Sequence, residues 1–204
     1  MRRQLLSALL MMLVFTVLLG LAYPLVVTGI AQSAFPDKAN GSLVHQHGTV
    51  VGSRLIGQSF TDARGRPLPQ YFQSRPSAAT GVGGKTKVGY DPTLSSGSNL
   101  AATNPALTTL VAQRVQAYRA FNGLAPDQAV PVDAVTASGS GLDPDISLAN
   151  ARLQAPRVAR ARRLSVATVL GLVDAHASGR TLDFLGEPTV NVLSLNLALN
   201  SLRS

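Results

Sequence analysis

Several stretches of the chain set reactive or ligating side chains close together, and each suggests a different chemistry. Gly84-Lys85-Thr86 reads like the end of a phosphate-binding loop, in which backbone amides and a lysine grip phosphate oxygens. That loop must open on a glycine, and Ala79 stands in its place; no apolar strand precedes it and no helical pattern follows. The overlapping "TKVGYD" (86–91) approximates the T-V-G-Y-G filter of potassium channels. Lys87 would put an ammonium where the ion must sit, and a chain with one membrane span lacks the surrounding pore helices. Gly83–Pro92 is therefore expected to be an exposed loop.

The other candidate sites fail on spacing. Ser138, Ser140, Asp143 and His176 are the ingredients of a serine hydrolase, but "SGSG" is not the Gly-x-Ser-x-Gly elbow. His45 and His47 flank Gln46 at a spacing seen in metal sites, without a third ligand cluster. Asp143 and Asp145 around Pro144 suit a turn and a helix start; the remaining ligands of a calcium loop are missing. No catalytic or metal-binding residue is assigned.

The arginines form the densest charged group. Arg152, Arg157, Arg160, Arg162 and Arg163 lie within twelve residues, and helical spacing would put Arg157, Arg160 and Arg163 on one face. With a net charge of +8, this face fits an anionic partner, either lipid head groups or an acidic subunit. A solvated basic helix without a specific partner is the alternative. Nucleic acid is a poor candidate for a partner outside the cell, and aromatic residues are only 5% of the chain, so bases would find few stacking platforms.

The elements that must position these residues start with an apolar run. Charged residues make up only 14% of the 204 residues, and none lies between Leu5 and Ala31. As a helix that run would reach about 40 Å, against a hydrocarbon core of about 30 Å. Pro24 is expected to end or bend it. A cleaved signal peptide is the rival reading, but the apolar run continues well past the small residues at Gly20–Ala22. Arg2 and Arg3 precede the run, whereas Asp37 and Lys38 cancel beyond it, so the positive-inside rule fixes an orientation. Residues 1–4 are expected in the cytoplasm, 5–31 in the membrane, and 32–204 outside. Cysteine is absent, so there is no lipid-modified cysteine anchor and no disulfide framework.

Beyond the anchor, the sequence predicts one α+β domain. Phe35–Pro105 reads as short strands and turns, and Leu107–Gly123 as a helix. Helical patterning resumes at Ser147, is interrupted at Pro156, and restarts with Ser165 as an N-cap. The ending "VNVLSLNLALNSL" reads as a short strand followed by a helix.

Taken in order, several blocks resemble the KdpC family, the small subunit of bacterial high-affinity potassium-transporting P-type ATPases. They are "AYPLVVTGIAQ" (22–32), "ANGSL" (39–43), "GSRLIGQSF" (52–60), "YFQSRPSA" (71–78) and "SSGSNLAATNP" (95–105). "VPVDAVTASGSGLDP" (130–144), "RVARARRL" (157–164) and "VNVLSLNLAL" (190–199) complete the series. The resemblance implies a non-catalytic accessory subunit in the inner membrane, needed for assembly and activity of the pump. It also implies no cofactor of its own. ATP and potassium would be handled by a P-type catalytic subunit and a channel-like translocating subunit, with membrane lipid as a further contact. Small residues Ser7, Ala8, Gly20, Ala22, Thr28 and Gly29 would let partner helices approach the span closely. An alternative role proposed for the family is raising ATP affinity through a Ser/Gly loop. Here that loop would be Ser95, Ser96, Gly97, Ser98 and Asn99, a loose echo of a nucleotide-binding signature with Ser96 in place of its first glycine.

Overall fold

A stretch without charge from Gln4 to Phe35 has no reason to interrupt its backbone hydrogen bonding, and it forms one long helical rod. The rod comprises α1 (Arg2–Val17), a π-turn (Leu18–Ala22) and α2 (Tyr23–Ala34). It is 33 residues long, its most apolar 18-residue window has a mean hydropathy of 2.6, and at about 1.5 Å per residue it is longer than a bilayer core. Pro24 neither ends nor breaks it. Proline lacks an N–H and crowds the carbonyl four residues back; the wider π-turn falls immediately before it and absorbs the misfit.

The computed structural model describes residues 1–80 and 89–202, in two units, Met1–Val51 and Gly52–Ser204. In the first, a short helix α3 (Pro36–Ala39) follows the rod. Then come β1 (Leu43–Gln46) and β2 (Thr49–Ser53), paired as a hairpin. Its two-residue turn, His47-Gly48, has φ of 51° and 77°, the conformation that matches strand twist. His45 and His47 are both exposed on this hairpin.

The second unit holds the core. Helix α4 (Pro105–Asn122) starts where the Asn104 side chain accepts from Ala106 N, and Gly123 ends it at φ 68°. A three-stranded antiparallel sheet has the order β3-β5-β4, built from Asp145–Ser147, Ala177–Ser178 and Thr189–Asn191. Ile146 and Ala177 both face Val190 across it. Two of its strands run directly into helices, and the junction residue caps each. Ser147 accepts from Asn150 N to open α5 (Leu148–Arg162); Asn191 accepts from Ser194 N to open α7 (Val192–Ser201). Ser165 caps α6 (Val166–Ala175) in the same way, accepting from Thr168 N.

Ala151, Ala155 and Ala159 recur every four residues on α5, giving a smooth face on which α6 settles with Val169 and Val173. Phe72, Ile146, Val158, Val190, Val192, Leu195 and Leu199 complete the core. Each such burial contributes about 1.5–3 kcal/mol. The leucines of the ending that alternate like a strand lie on α7, after the short strand β5.

Pro156 does not interrupt the helix as expected. It lies on the exposed side of α5, and the carbonyl it leaves unbonded belongs to Arg152, also exposed, where water can reach it. The break comes at Arg163, whose left-handed φ of 58° ends α5.

Candidate functional site

Between Pro69 and Gln73 the backbone pairs with no β-strand among the described residues, yet Phe72 is fully buried. Its polar groups need partners, and side chains from two helices supply them. Asn196 of α7 accepts from Phe72 N at 2.9 Å and donates to Phe72 O at 3.0 Å. Gln154 of α5 does the same for Gln73, at 2.8 and 3.1 Å. Each amide thus takes the place of a neighbouring strand. Arg162 donates to Gln70 O at 2.6 Å, while Arg157 donates to Tyr71 O at 3.0 Å and also to Pro69 O.

Arg157 is 5% exposed, and every acceptor it meets among the described residues is neutral. Nε donates to Asn122 Oδ1 at 2.9 Å and Nη2 to Gln154 Oε1 at 2.8 Å, with the guanidinium 4.4 Å from the Phe121 ring centroid. Burial pulls its pKa down to about 10, which leaves it a cation at neutral pH. The network continues outward. Gln154 donates to Asn150 Oδ1, Tyr118 OH donates to the same oxygen at 2.8 Å, and Asn150 donates to Asp133 Oδ2. A groove of about 530 Å³ opens beside it, lined by Pro67, Arg114, Tyr118, Phe121, Asn150 and Gln154 among others. Arg114 donates to Val135 O at 3.0 Å, and Tyr118, Asn150 and Gln154 bond one another as above.

Arg157, Arg160 and Arg163 do not form one basic face, and the five clustered arginines go separate ways. Arg157 and Arg162 are buried and hold the Pro69–Gln73 segment, with Arg162 stacked 4.8 Å from the Tyr71 centroid. Arg152 pairs with Asp174 at 3.0 Å. Arg160 is exposed on α5, and Arg163 lies beyond the helix end. Helical spacing could not reveal this, because the acceptors are backbone carbonyls and side-chain amides from elements distant in sequence.

The two Ser/Gly stretches that suggested nucleotide or hydrolase chemistry pack against each other. Ser96 N donates to Ser140 O at 2.9 Å, and Ser95 Oγ reaches the same oxygen at 3.2 Å. A side chain on Gly97 would lie 3.0 Å from Gly139 O, and one on Gly141 2.5 Å from Ser96 O. Ser95, Ser98 and Asn99 are exposed; Ser96 and Gly97 are half-buried. The hydrolase ingredients go to separate structural tasks. Ser140 Oγ accepts from Leu142 N, His176 Nδ1 lies 2.9 Å from Leu172 O at the end of α6, and Ser138 is buried. Asp143 accepts from Asp145 N and pairs with Arg75 at 2.9 Å, while Asp145 accepts from Asn191. No group of three or more metal-ligating side chains occurs among the described residues.

Gly84, Lys85, Thr86 and Lys87 lie outside the described residues. The end of that stretch departs from an exposed loop: Gly89 is buried, Tyr90 N donates to Ser77 Oγ, and Tyr90 OH donates to Arg75 O at 2.7 Å. Burial pushes Tyr90 up to about 12, with Asp143 adding to the shift and the Ser74 and Arg75 contacts opposing it. The fold therefore favours the protonated phenol. That contribution is complete below the free tyrosine pKa of about 10 and is lost as pH rises toward 12. Urea unfolding of the chain should show stability falling across this window, and Tyr90→Phe should flatten the fall. An unchanged slope in the variant would show that Tyr90 titrates normally.

Ser7, Ala8, Gly20, Ala22, Thr28 and Gly29 are all exposed along the apolar rod. Gly20 and Ala22 fall in the π-turn, and a side chain at Gly20 or Gly29 would meet nothing within 4 Å. The residues that sequence reasoning missed are Gln73, Asn122, Asp133, Asn150, Gln154 and Asn196. The available signal was an amide inside an apolar stripe, as in Leu195-Asn196-Leu197.

Among the described residues one helix is long and apolar enough to cross a membrane, and an α/β domain follows it, the layout of a membrane-associated protein with one candidate span. A family model described as "K+-transporting ATPase, c chain" matches residues 5–201, and the chain belongs to this family, KdpC. It is 56% identical over 202 residues to the potassium-transporting ATPase KdpC subunit of Mycobacterium tuberculosis (strain ATCC 25618 / H37Rv), covering 99% of this chain and 100% of the relative. The subunit of the same name from Sorangium cellulosum (strain So ce56) is 55% identical over 198 residues, covering 96% of each chain. That from Caulobacter vibrioides (strain ATCC 19089 / CIP 103742 / CB 15) is 53% identical over 195 residues, covering 95% of this chain and 91% of the relative. The family expected from the sequence blocks is the family matched.

Proposed function

We propose that the chain is a non-catalytic accessory subunit of an ATP-driven potassium import complex, needed for its assembly and activity. The observation that carries this reading is the near full-length similarity to potassium-transporting ATPase KdpC subunits. The fate of the polar side chains supports it, since those that suggested catalysis hold turns, caps and an irregular segment in place. In this reading α1 and α2 cross the inner membrane, with residues 1–4 in the cytoplasm. The domain lies outside and shapes the ion entrance of a channel-like subunit. A P-type subunit handles ATP, and small residues on the span pack against partner helices or lipid.

Affinity purification of the tagged chain from potassium-starved membranes tests the assignment. Stoichiometric recovery of a P-type ATPase and a channel-like protein is expected; recovery of the chain alone would overturn it. Protease treatment of sealed inverted vesicles tests the orientation and should leave residues 32–204 intact. Digestion from that side would put the Ser95–Asn99 loop within reach of cytoplasmic ATP and favour a nucleotide-handling role.

A further inference from the structure

The segment joining β4 to β5 contributes no side chain to the domain's buried core. Every residue from Ser178 to Glu187 is exposed, and three of them are large and apolar: Leu182 (73% exposed), Phe184 (67%) and Leu185 (50%). The segment is nevertheless ordered by specific contacts. Thr181 N donates to Leu185 O and Leu185 N to Thr181 O, both at 2.9 Å, closing a three-residue tip. Arg180 and Glu187 pair at 3.2 Å lower down. Leu182 and Asp183 adopt φ of 54° and 66°, a left-handed conformation that a branched apolar residue rarely holds. Backbone strain of this kind clusters at functional sites, and clustered exposed apolar side chains mark contact surfaces.

We propose that this hairpin docks the domain onto a protein partner in the transport complex. Leu182, Phe184 and Leu185 enter an apolar pocket on that partner, and Asp183 meets a cationic or hydrogen-bond-donating group on the rim. The proposal rests on the accessory-subunit reading above. Charge selects a protein over a membrane surface. Arg180, Asp183 and Glu187 give the hairpin a net charge of −1, in a chain whose net charge is +8. A carboxylate between two apolar tips resists entry into hydrocarbon and is repelled by anionic head groups. On a protein surface the same arrangement is an apolar anchor with one polar contact to fix its orientation.

The test uses the full chain co-expressed with the rest of its complex, with a photo-crosslinking amino acid at position 184. After illumination and purification in mild detergent, the adduct is identified by mass spectrometry. A protein adduct with another subunit of the complex is expected. The double variant Leu182→Ser/Phe184→Ser should weaken partner association about thirty-fold across a dilution series. Its thermal unfolding midpoint should be unchanged, because both side chains are exposed. An adduct with lipid or with a second copy of the chain, or no adduct at all from an intact complex, would overturn the proposal. Undiminished association of the double variant would also overturn it. If the wild-type chain itself purifies alone, the accessory-subunit reading fails first, and this inference falls with it.

Discussion

Replacing Arg157 with alanine is expected to destabilise the chain by about 3–5 kcal/mol, the largest effect of any single arginine substitution. The loss is unlike that of a salt bridge, because no carboxylate among the described residues bonds the guanidinium. Four neutral oxygens, those of Asn122 Oδ1, Gln154 Oε1, Pro69 O and Tyr71 O, would lose a donor together, two of them on the buried side chains of Asn122 and Gln154. A buried acceptor left unbonded costs about 1–3 kcal/mol. Relief of the cation's own desolvation, which lowers its pKa to about 10, offsets part of the sum. Lysine cannot repair the site, since its three donors on one nitrogen do not reproduce the planar fork. Arg160→Ala, on the exposed face of the same helix, should change stability by less than about 0.5 kcal/mol. Urea unfolding of the full chain in detergent micelles measures all three. A loss below about 1 kcal/mol for Arg157→Ala would mean that the network does not hold the segment.

Gly141→Ala should destabilise the chain by about 2–4 kcal/mol through backbone geometry alone. The residue sits at φ 68°, and a methyl group there would lie 2.5 Å from Ser96 O, 2.8 Å from Ala79 Cβ and 2.9 Å from Ala79 N. Two of those atoms are main chain, and the third belongs to a fully buried alanine. None can swing aside, so the segments carrying Ser96 and Ala79 must move away from residue 141. Gly139→Ala is the matched control, because a methyl group there meets nothing within 4 Å. Thermal unfolding of the two variants should differ by several degrees. Equal midpoints would show that the Ser95–Asn99 loop does not depend on its contact with residue 141.

The contrast between Arg157 and Arg160 also marks what could be read from the sequence. Features written in local chemistry were legible. Ser165 and Asn191 cap helices because a short polar side chain ahead of an apolar run satisfies free N–H groups, and Gly123 ends α4 because it accepts a left-handed φ. The apolar rod was legible from the absence of charge. Pro156 was misleading, because proline breaks helices through a lost bond and a steric clash, and whether the surroundings relieve both depends on which face it occupies. Arg157 and Arg162 were misleading for a deeper reason. A guanidinium facing water and one facing buried carbonyls have the same sequence spacing, and carbonyls carry no residue identity. The same holds for Asn196 and Gln154, whose partners are the backbone of Phe72 and Gln73.

Those last pairings set an order of events during synthesis. The acceptor for Phe72 N lies 124 residues further along the chain and that for Gln73 N 81 residues further. Ribosomes deliver the amino-terminal residues first, so Gly52–Thr80 emerges long before α5 and α7 exist to receive it. Contacts between residues so distant in sequence form late, since the intervening loop must close first. The domain therefore closes from its end backwards: α7 arrives last and fastens a segment that has waited exposed since its own synthesis. A chain cut short before Val192 would leave the Phe72 backbone without that fastening, although α5 could still hold the residues on either side of it.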